Sequence, residues 1–196
     1  MLDKSVPYAD VSMRRPKGRA IPPFELPDGF SFVLYSPGDE QAWAKIETSV
    51  LEFSEEQSAV AYFQKEYLAD PKEVRRRCLF IENEKGEKVA TSSAWWEKKG
   101  GKRYPLVHWV AVMPNYQDMG LGKAIVGKTM QMLLEIEGDQ DFYLHTQTWS
   151  HKAIRIYEKA GFDIAKESPI KSYTTEEYDK AMTILSSIAT KKEETK

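Results

Sequence analysis

An apolar, β-branched run ending in Val110, Ala111 and Val112 leads through Met113-Pro114-Asn115-Tyr116 into Gln117-Asp118-Met119-Gly120-Leu121-Gly122-Lys123, where a helix-forming stretch begins. The first turn of a helix carries unpaired backbone N–H groups at the positive end of its dipole, an arrangement suited to phosphate. Gly120 and Gly122 let those groups approach an anion with no Cβ in the way, and Lys123 adds a charge. A Rossmann loop needs a third glycine, but Gly122 is followed by Lys123, Ala124 and Ile125. A P-loop needs Ser or Thr after its lysine and a glycine where this chain has Gln117. Neither pattern fits. The other reactive side chains are dispersed. His108, His145 and His151 are too far apart in sequence to suggest a metal site, and no metal is expected. Cys78 opens an apolar run with no histidine beside it and reads as an inert buried thiol.

The elements that must position these residues follow from period and punctuation. Five of the ten prolines fall within the first 28 residues (Pro7, Pro16, Pro22, Pro23 and Pro27), so residues 1–29 read as an extended arm that excludes a helix or an inner strand. Its basic cluster, Arg14-Arg15-Pro16-Lys17-Gly18-Arg19, reads as a solvated face. A strand is expected over 30–35, then a helix over 40–50 with Trp43, Ile46 and Val50 at helical spacing. Ser54-x-x-Gln57 has the pattern of a capping box and predicts a second helix to about residue 68, followed by Pro71 and a charged turn over 72–77. Three strands joined by glycine-containing turns, over 78–84, 88–97 and 106–113, read as an antiparallel meander. A helix over 120–137, a strand over 141–148, a helix over 150–160 with Ser150 at its N-cap and a short strand over 162–166 come next. Thr174-x-x-Glu177 caps a last helix over 175–188, with a frayed tail from Lys191. The chain is therefore expected to be α/β (α+β): a mixed, mostly antiparallel central sheet flanked by helices, with a main domain over 30–168 and a C-terminal helix and tail over 169–196 packed on it.

In this setting Gln117-x-x-Gly120-x-Gly122 resembles the acetyl-CoA loop of the GCN5-related N-acetyltransferases, Gln/Arg-x-x-Gly-x-Gly/Ala. It follows Val110-Ala111-Val112-x-Pro114 on a meander strand and opens a helix. Downstream, Ser150-x-x-Ala153-x-x-x-Tyr157-x-x-x-Gly161-Phe162 resembles the family's second signature, with Ser150 where that signature has Asn. The likeness in element order runs from about residue 30 to 166.

The resemblance implies acetyl-CoA as co-substrate and transfer of its acetyl group to an amine. In the family the strand matching 110–112 splays from the one matching 143–147, and pantetheine lies in the gap. On that match Val110, Ala111 and Val112 hold pantetheine and the acetyl carbonyl, and a backbone N–H near Val112 polarises the thioester. Gln117, Asp118, Met119, Gly120, Leu121, Gly122 and Lys123 wrap the pyrophosphate, and Ser150 contacts pantetheine. Tyr157 matches the general acid that protonates the departing thiolate, since a phenol stays protonated at neutral pH. The base is left open between two residues. His108 lies two and four positions before Val110 and Val112, on their face by period 2, and looks like a histidine of the serotonin N-acetyltransferase branch. His145 falls where peptide N-terminal acetyltransferases carry a catalytic Glu. His151 reads as a surface group. Glu47, Glu52 and Phe53 lie where the family binds its acceptor; acidic groups there would suit a cationic amine, but the two glutamates read as surface carboxylates. Trp95, Trp96 and Trp109 are divided between core and acceptor pocket. One departure stands out: the family closes with a strand beside the one matching 162–166, and here a capped helix follows instead.

Composition narrows the partners. With 28 Lys and Arg against 30 Asp and Glu, the chain has no basic excess for nucleic acid. No apolar run reaches the roughly 18 residues of a membrane span, and Met1-Leu2-Asp3-Lys4 lacks the apolar core of a signal peptide. The expectation is a cytoplasmic enzyme acting on a small-molecule primary amine, with a protein or peptide N-terminus or a non-catalytic acyl-CoA-binding module as alternatives. The proline-rich arm and terminal helix offer surfaces for a homodimer.

Overall fold

The computed structural model describes residues 2–193. Seven strands form one sheet in the order β2-β3-β4-β5-β6-β1-β7: β1 (Asp10–Arg15), β2 (Phe30–Leu34), β3 (Cys78–Asn83), β4 (Lys88–Lys99), β5 (Lys102–Val112), β6 (Phe142–Gln147) and β7 (Asp163–Ile164). All neighbours pair antiparallel except β5 and β6. Six α-helices accompany them among the described residues: α1 (Glu40–Ser49), α2 (Glu56–Glu66), α3 (Pro71–Arg77), α4 (Leu121–Glu137), α5 (His151–Lys159) and α6 (Thr175–Glu193). The expected meander is β3-β4-β5.

Both faces of the sheet are covered, which the alternation in β3 shows most simply. Leu79 and Ile81 join a core with Leu121, Ile125 and Leu133 of α4, whereas Cys78 and Phe80 join a second core with Trp43 and Ile46 of α1 and Phe63 of α2. The α4 core is largely aliphatic. The α1–α2 core is dominated by rings, with Trp43 stacked on Tyr62 (centroids 6.1 Å, 9° between planes) and edge-on to Trp109 (5.5 Å).

The N-terminal arm departs from expectation. Asp10–Arg15 is an inner strand, paired with β6 from Asp10↔Gln147 to Arg15↔Phe142 and with β7 at Met13↔Ile164. Proline bars its own position from a ladder but not the residues between two prolines. Pro7 and Pro16 fall just outside β1, leaving every one of its N–H groups intact. Val11 and Met13 are buried, and so is Arg15, whose guanidinium pairs with Asp139 (3.1 Å) and lies over the Phe142 ring. Arg14 and Arg19 pair with Asp141 and Asp163, so the basic cluster ties the arm down rather than facing solvent freely. Strand β1 also answers the missing last strand: it lies beside β7, where the resemblance calls for a strand from the chain's end. Further on, the arm crosses α4, where a Cβ on Gly127 would collide with the Phe24 ring.

Smaller differences have local causes. The stretch 72–77 is a helix, because Asp70 caps it through the N–H of Glu73 and Pro71 stands in its first turn. It delivers Arg77 into the interior to pair with Glu137 (2.7 Å). Helix α2 starts at Glu56 with no side-chain cap, so the Ser54–Gln57 box is not made. The Thr174–Glu177 box is made in both directions (2.7 and 3.2 Å). Helix α6 runs to Glu193, beyond the expected end at 188; the rest of the expected tail, 194–196, lies outside the described residues.

Candidate active site

Strands β5 and β6 run parallel yet pair at a single point, Leu106↔Tyr143. Beyond it they diverge, and two clefts occupy the opening. The first, about 820 Å³ including its open mouth, is bounded by Val110, Ala111 and Val112 of β5, by Gln117, Asp118 and Gly122 at the start of α4, and by Ser150, Lys152, Ile156 and Tyr157. The second, about 830 Å³ on the same measure, is bounded by Glu47, Glu52, Glu97, His108, Trp109, His145 and Gln147. Val110, Ser150, Ala153, Tyr157 and Glu52 line both. Tyr157 therefore stands where the clefts meet.

The loop into α4 is held by its own side chains. Gln117 Nε2 donates to the Val112 carbonyl (2.9 Å), pulling the loop back onto β5. Its backbone N–H is spent on the Pro114 carbonyl, so any phosphate must be met by the N–H groups after it. Gly120 is the N-cap of α4 in the left-handed region (φ 89°), which favours glycine; a Cβ there would meet only Pro27 Cγ, at an ordinary contact distance of 3.8 Å. Gly122 is limited by space: a Cβ there would lie 3.1 Å from Ile156 Cδ1, in the cleft wall. Of the remaining loop residues, Met119 and Lys123 are exposed outside the cleft wall, and Leu121 is buried in the aliphatic core.

His108 is not where period 2 puts it. Thr91 pairs with Ala111 and Ser93 with His108, so Trp109 and Val110 together face Ser92, a β-bulge with Trp109 at φ 49°. The extra residue changes the parity. Val107, Val110 and Val112 pack toward α4, while Trp109 and Ala111 pack toward the aromatic core. His108 faces that same core and bonds through Nδ1 to the Tyr67 hydroxyl (2.9 Å). The expectation that His108 shares a face with Val110 and Val112 is thus corrected. His145 Nε2 lies 2.9 Å from Ser168 Oγ, which accepts the backbone N–H groups of Ile170 and Lys171. That leaves the Ser168 proton to point at the imidazole, making Nε2 an acceptor. Burial lowers both histidines to about 4, so both are neutral at pH 7. His151, expected at the surface, is buried and bonded to Asp3 (3.2 Å), because β1 and the segment before it cover the start of α5. Cys78 is buried, and burial pushes its thiol up to about 12.

Burial, with Glu47 and Glu52 nearby, raises the Tyr157 phenol further above its ordinary value, so it keeps its proton at neutral pH. Ser150 stands at the N-cap of α5 but makes no capping bond, leaving its hydroxyl to the clefts. Glu47 is the residue that sequence reasoning undervalued, as a surface carboxylate. It is 1% exposed. The signal was present: Trp43, Ile46, Glu47 and Val50 form one i, i+3, i+4, i+7 stripe, which puts Glu47 on the buried face of α1.

The acetyltransferase (GNAT) family model matches residues 41–162, well over half of the chain. This chain belongs to the GNAT family. Similar solved GNAT folds include a GCN5-related N-acetyltransferase from Sphaerobacter thermophilus, at 20% identity and a TM-score of 0.62 over 81% of this chain and 49% of that one. A GNAT acetyltransferase from Colwellia psychrerythraea gives 13% identity and 0.60 over 81% and 54%. Glucosamine-6-phosphate N-acetyltransferase from Arabidopsis thaliana gives 20% and 0.52 over 74% and 97%. The chain spans about half the length of the first two, and likeness at these identities speaks to fold alone. Among curated proteins, none matches this sequence. The GNAT fold expected from the two motifs is the fold observed. No helix among the described residues is long and apolar enough to cross a membrane, and no group of three His, Cys, Asp or Glu among them is placed to hold a metal.

Proposed function

We propose that this GNAT protein is an acetyl-CoA-dependent N-acetyltransferase acting on a small-molecule primary amine, with Tyr157 as the proton donor. The observation that carries the reading is the single β5–β6 pairing, which opens one continuous gap with Tyr157 at its centre. The first cleft suits acetyl-CoA. The N-terminus of a 17-residue helix borders it, a Cβ at Gly122 would press on its wall, and Lys152 supplies a cation. Acetyl-CoA would supply the acetyl carbonyl as a thioester. Val110, Ala111 and Val112 would hold pantetheine along the unpaired edge of β5, and the α4 N-terminus would hold the phosphates. Tyr157 would give its hydroxyl proton to the sulfur that departs. His108 and His145, neutral and engaged with Tyr67 and Ser168, would shape the acceptor cleft; at about 4 each is a weak proton acceptor at pH 7. The enzyme is assigned to the cytoplasm.

Calorimetric titration with acetyl-CoA, with NAD as control, tests the reading. Micromolar binding of acetyl-CoA alone supports it. Tyr157→Phe should leave that affinity intact and cut thiol release with amines by about 10–100-fold, the scale of a lost general acid. Unchanged turnover in Tyr157→Phe would remove the donor role. Tight acetyl-CoA binding with no transfer to any amine would leave a binding module.

A further inference from the structure

The second cleft holds a group without a task in this scheme. Glu47 is fully buried on α1, lines the cleft, and has no hydrogen-bond partner at Oε1 among the described residues. Burying a carboxylate with nothing to compensate it disfavours its charged form, and an aromatic core supplies no compensation. The rest of the wall sharpens the point. Glu52 and Glu97 border the same cleft, and among the described residues neither Lys nor Arg does. Gln147, reaching from β6, donates to Glu52 Oε1 (3.3 Å) and steadies it at the mouth. Trp109 forms part of the wall, backed by Phe53 (centroids 5.3 Å) and Tyr62 (5.2 Å). Such rings attract cations by their faces.

Resting on the N-acetyltransferase reading, we propose that Glu47 receives the acceptor's ammonium group and takes its proton, so that the substrates are cationic primary amines bearing no phosphate or carboxylate. The balance is simple. One ammonium N–H bond breaks, its proton passes to a Glu47 carboxylate oxygen, and the nitrogen keeps the electron pair with which it attacks. Tyr157 protonates the sulfur as the C–S bond breaks, and the second proton that the nitrogen sheds in becoming an amide restores the phenol. A sugar phosphate, by contrast, would bring its charge against three carboxyl groups. The groups facing Glu47 are Glu52, Tyr62 and Tyr67 beside it, Cys78 from β3 and Tyr157 from α5, with His108 and His145 across the cleft. None of them is cationic at neutral pH. Burial, and then the charge of Glu52, hold Glu47 well above the ordinary carboxylate range, which makes its ionised form a stronger proton acceptor than an exposed carboxylate.

The test uses the intact chain loaded with CoA and 2-phenylethylamine as probe, by calorimetry at pH 7 in buffers of different ionisation enthalpy. Ammonium binding should favour the ionised Glu47 carboxylate, so that amine binding releases protons at pH 7 in the wild type and essentially none in Glu47→Gln. CoA affinity should not change. In turnover, kcat/KM for 2-phenylethylamine should exceed that for glucosamine 6-phosphate by at least ~10-fold. It should fall by roughly 100-fold in Glu47→Gln, with the acidic limb of the pH profile gone. A folding defect would show as a lowered melting temperature, and Glu47→Gln should instead raise it. Equal proton release by the two proteins, absence of amine binding, a preference for the phosphorylated sugar or full activity of Glu47→Gln overturns the assignment. Glu47-dependent proton release without acetyl transfer keeps the cation site and overturns the transferase reading; transfer indifferent to Glu47 does the reverse.

Discussion

The two faces of the sheet are built from different materials. Toward α4 lie Val, Ile, Leu and Met side chains and a loop whose chemistry resides in backbone N–H groups. Toward α1 and α2 lie Trp43, Phe53, Tyr62, Phe63, Tyr67, Trp95 and Trp109, with Glu47 among them. The difference matches two kinds of recognition. Backbone donors at a helix end suit one ligand shape and tolerate many side chains around them, whereas rings and carboxyls carried on separate elements can be exchanged to suit different acceptors.

If the faces are separable, damage to one should spare the other. The largest effect is expected from Trp43→Ala. Its fully buried ring lies against Phe53, Tyr62, Phe63, Tyr67 and Trp109, and its loss should cost about 3–5 kcal/mol in denaturant unfolding. Whatever protein remains folded should bind acetyl-CoA normally and bind amines poorly. Acid should weaken the same face next. His108 and His145 titrate near 4 in the folded chain against about 6.5 unfolded, so the unfolded state takes up protons first as pH falls. Stability should decline between about pH 6.5 and 4, by on the order of 3 kcal/mol for each histidine at the lower end. His145→Asn should flatten part of that slope; an unchanged slope would contradict the burial of this imidazole. Gly122→Ala probes the other face. Its Cβ would press on Ile156, and acetyl-CoA affinity should drop about 3–10-fold, or roughly 1 kcal/mol, with amine-induced proton release untouched. The smallest effect is a gain. Glu47 has its folded pKa raised, so ionisation favours the unfolded chain above about pH 4.5. Glu47→Gln should therefore melt a few degrees higher at pH 8 and no higher at pH 4, by differential scanning calorimetry.

The same division explains what could be read in the sequence. The α4 face is written locally: Gln117, Gly120 and Gly122 adjoin one another, and Ser150 and Tyr157 share one helix, so spacing alone brings them into view. The acceptor face is assembled from α1, β4, β5 and β6, with no motif to link Glu47 to His145. Period 2 failed at His108 because a single bulged residue, Trp109, reverses the faces on either side of it, and nothing in Val107-His108-Trp109-Val110 announces the bulge. Strand β1 was missed for a different reason. Pro7 and Pro16 bracket the stretch that holds it, and counting prolines over the whole arm obscured the run between them.

That strand has a consequence for how the molecule comes into being. The hairpins of β3, β4 and β5 join near neighbours and can form as soon as they leave the ribosome, but Asp10–Arg15 must wait for partners more than a hundred residues downstream. The buried bond from the Ala9 N–H to Thr148 Oγ1 spans 139 residues. Contacts that close such long loops are slow to form, so β1 cannot be seated before β6 has been made. Until β6 and β7 are made, the apolar side chains of Val11 and Met13 have no completed sheet to bury them.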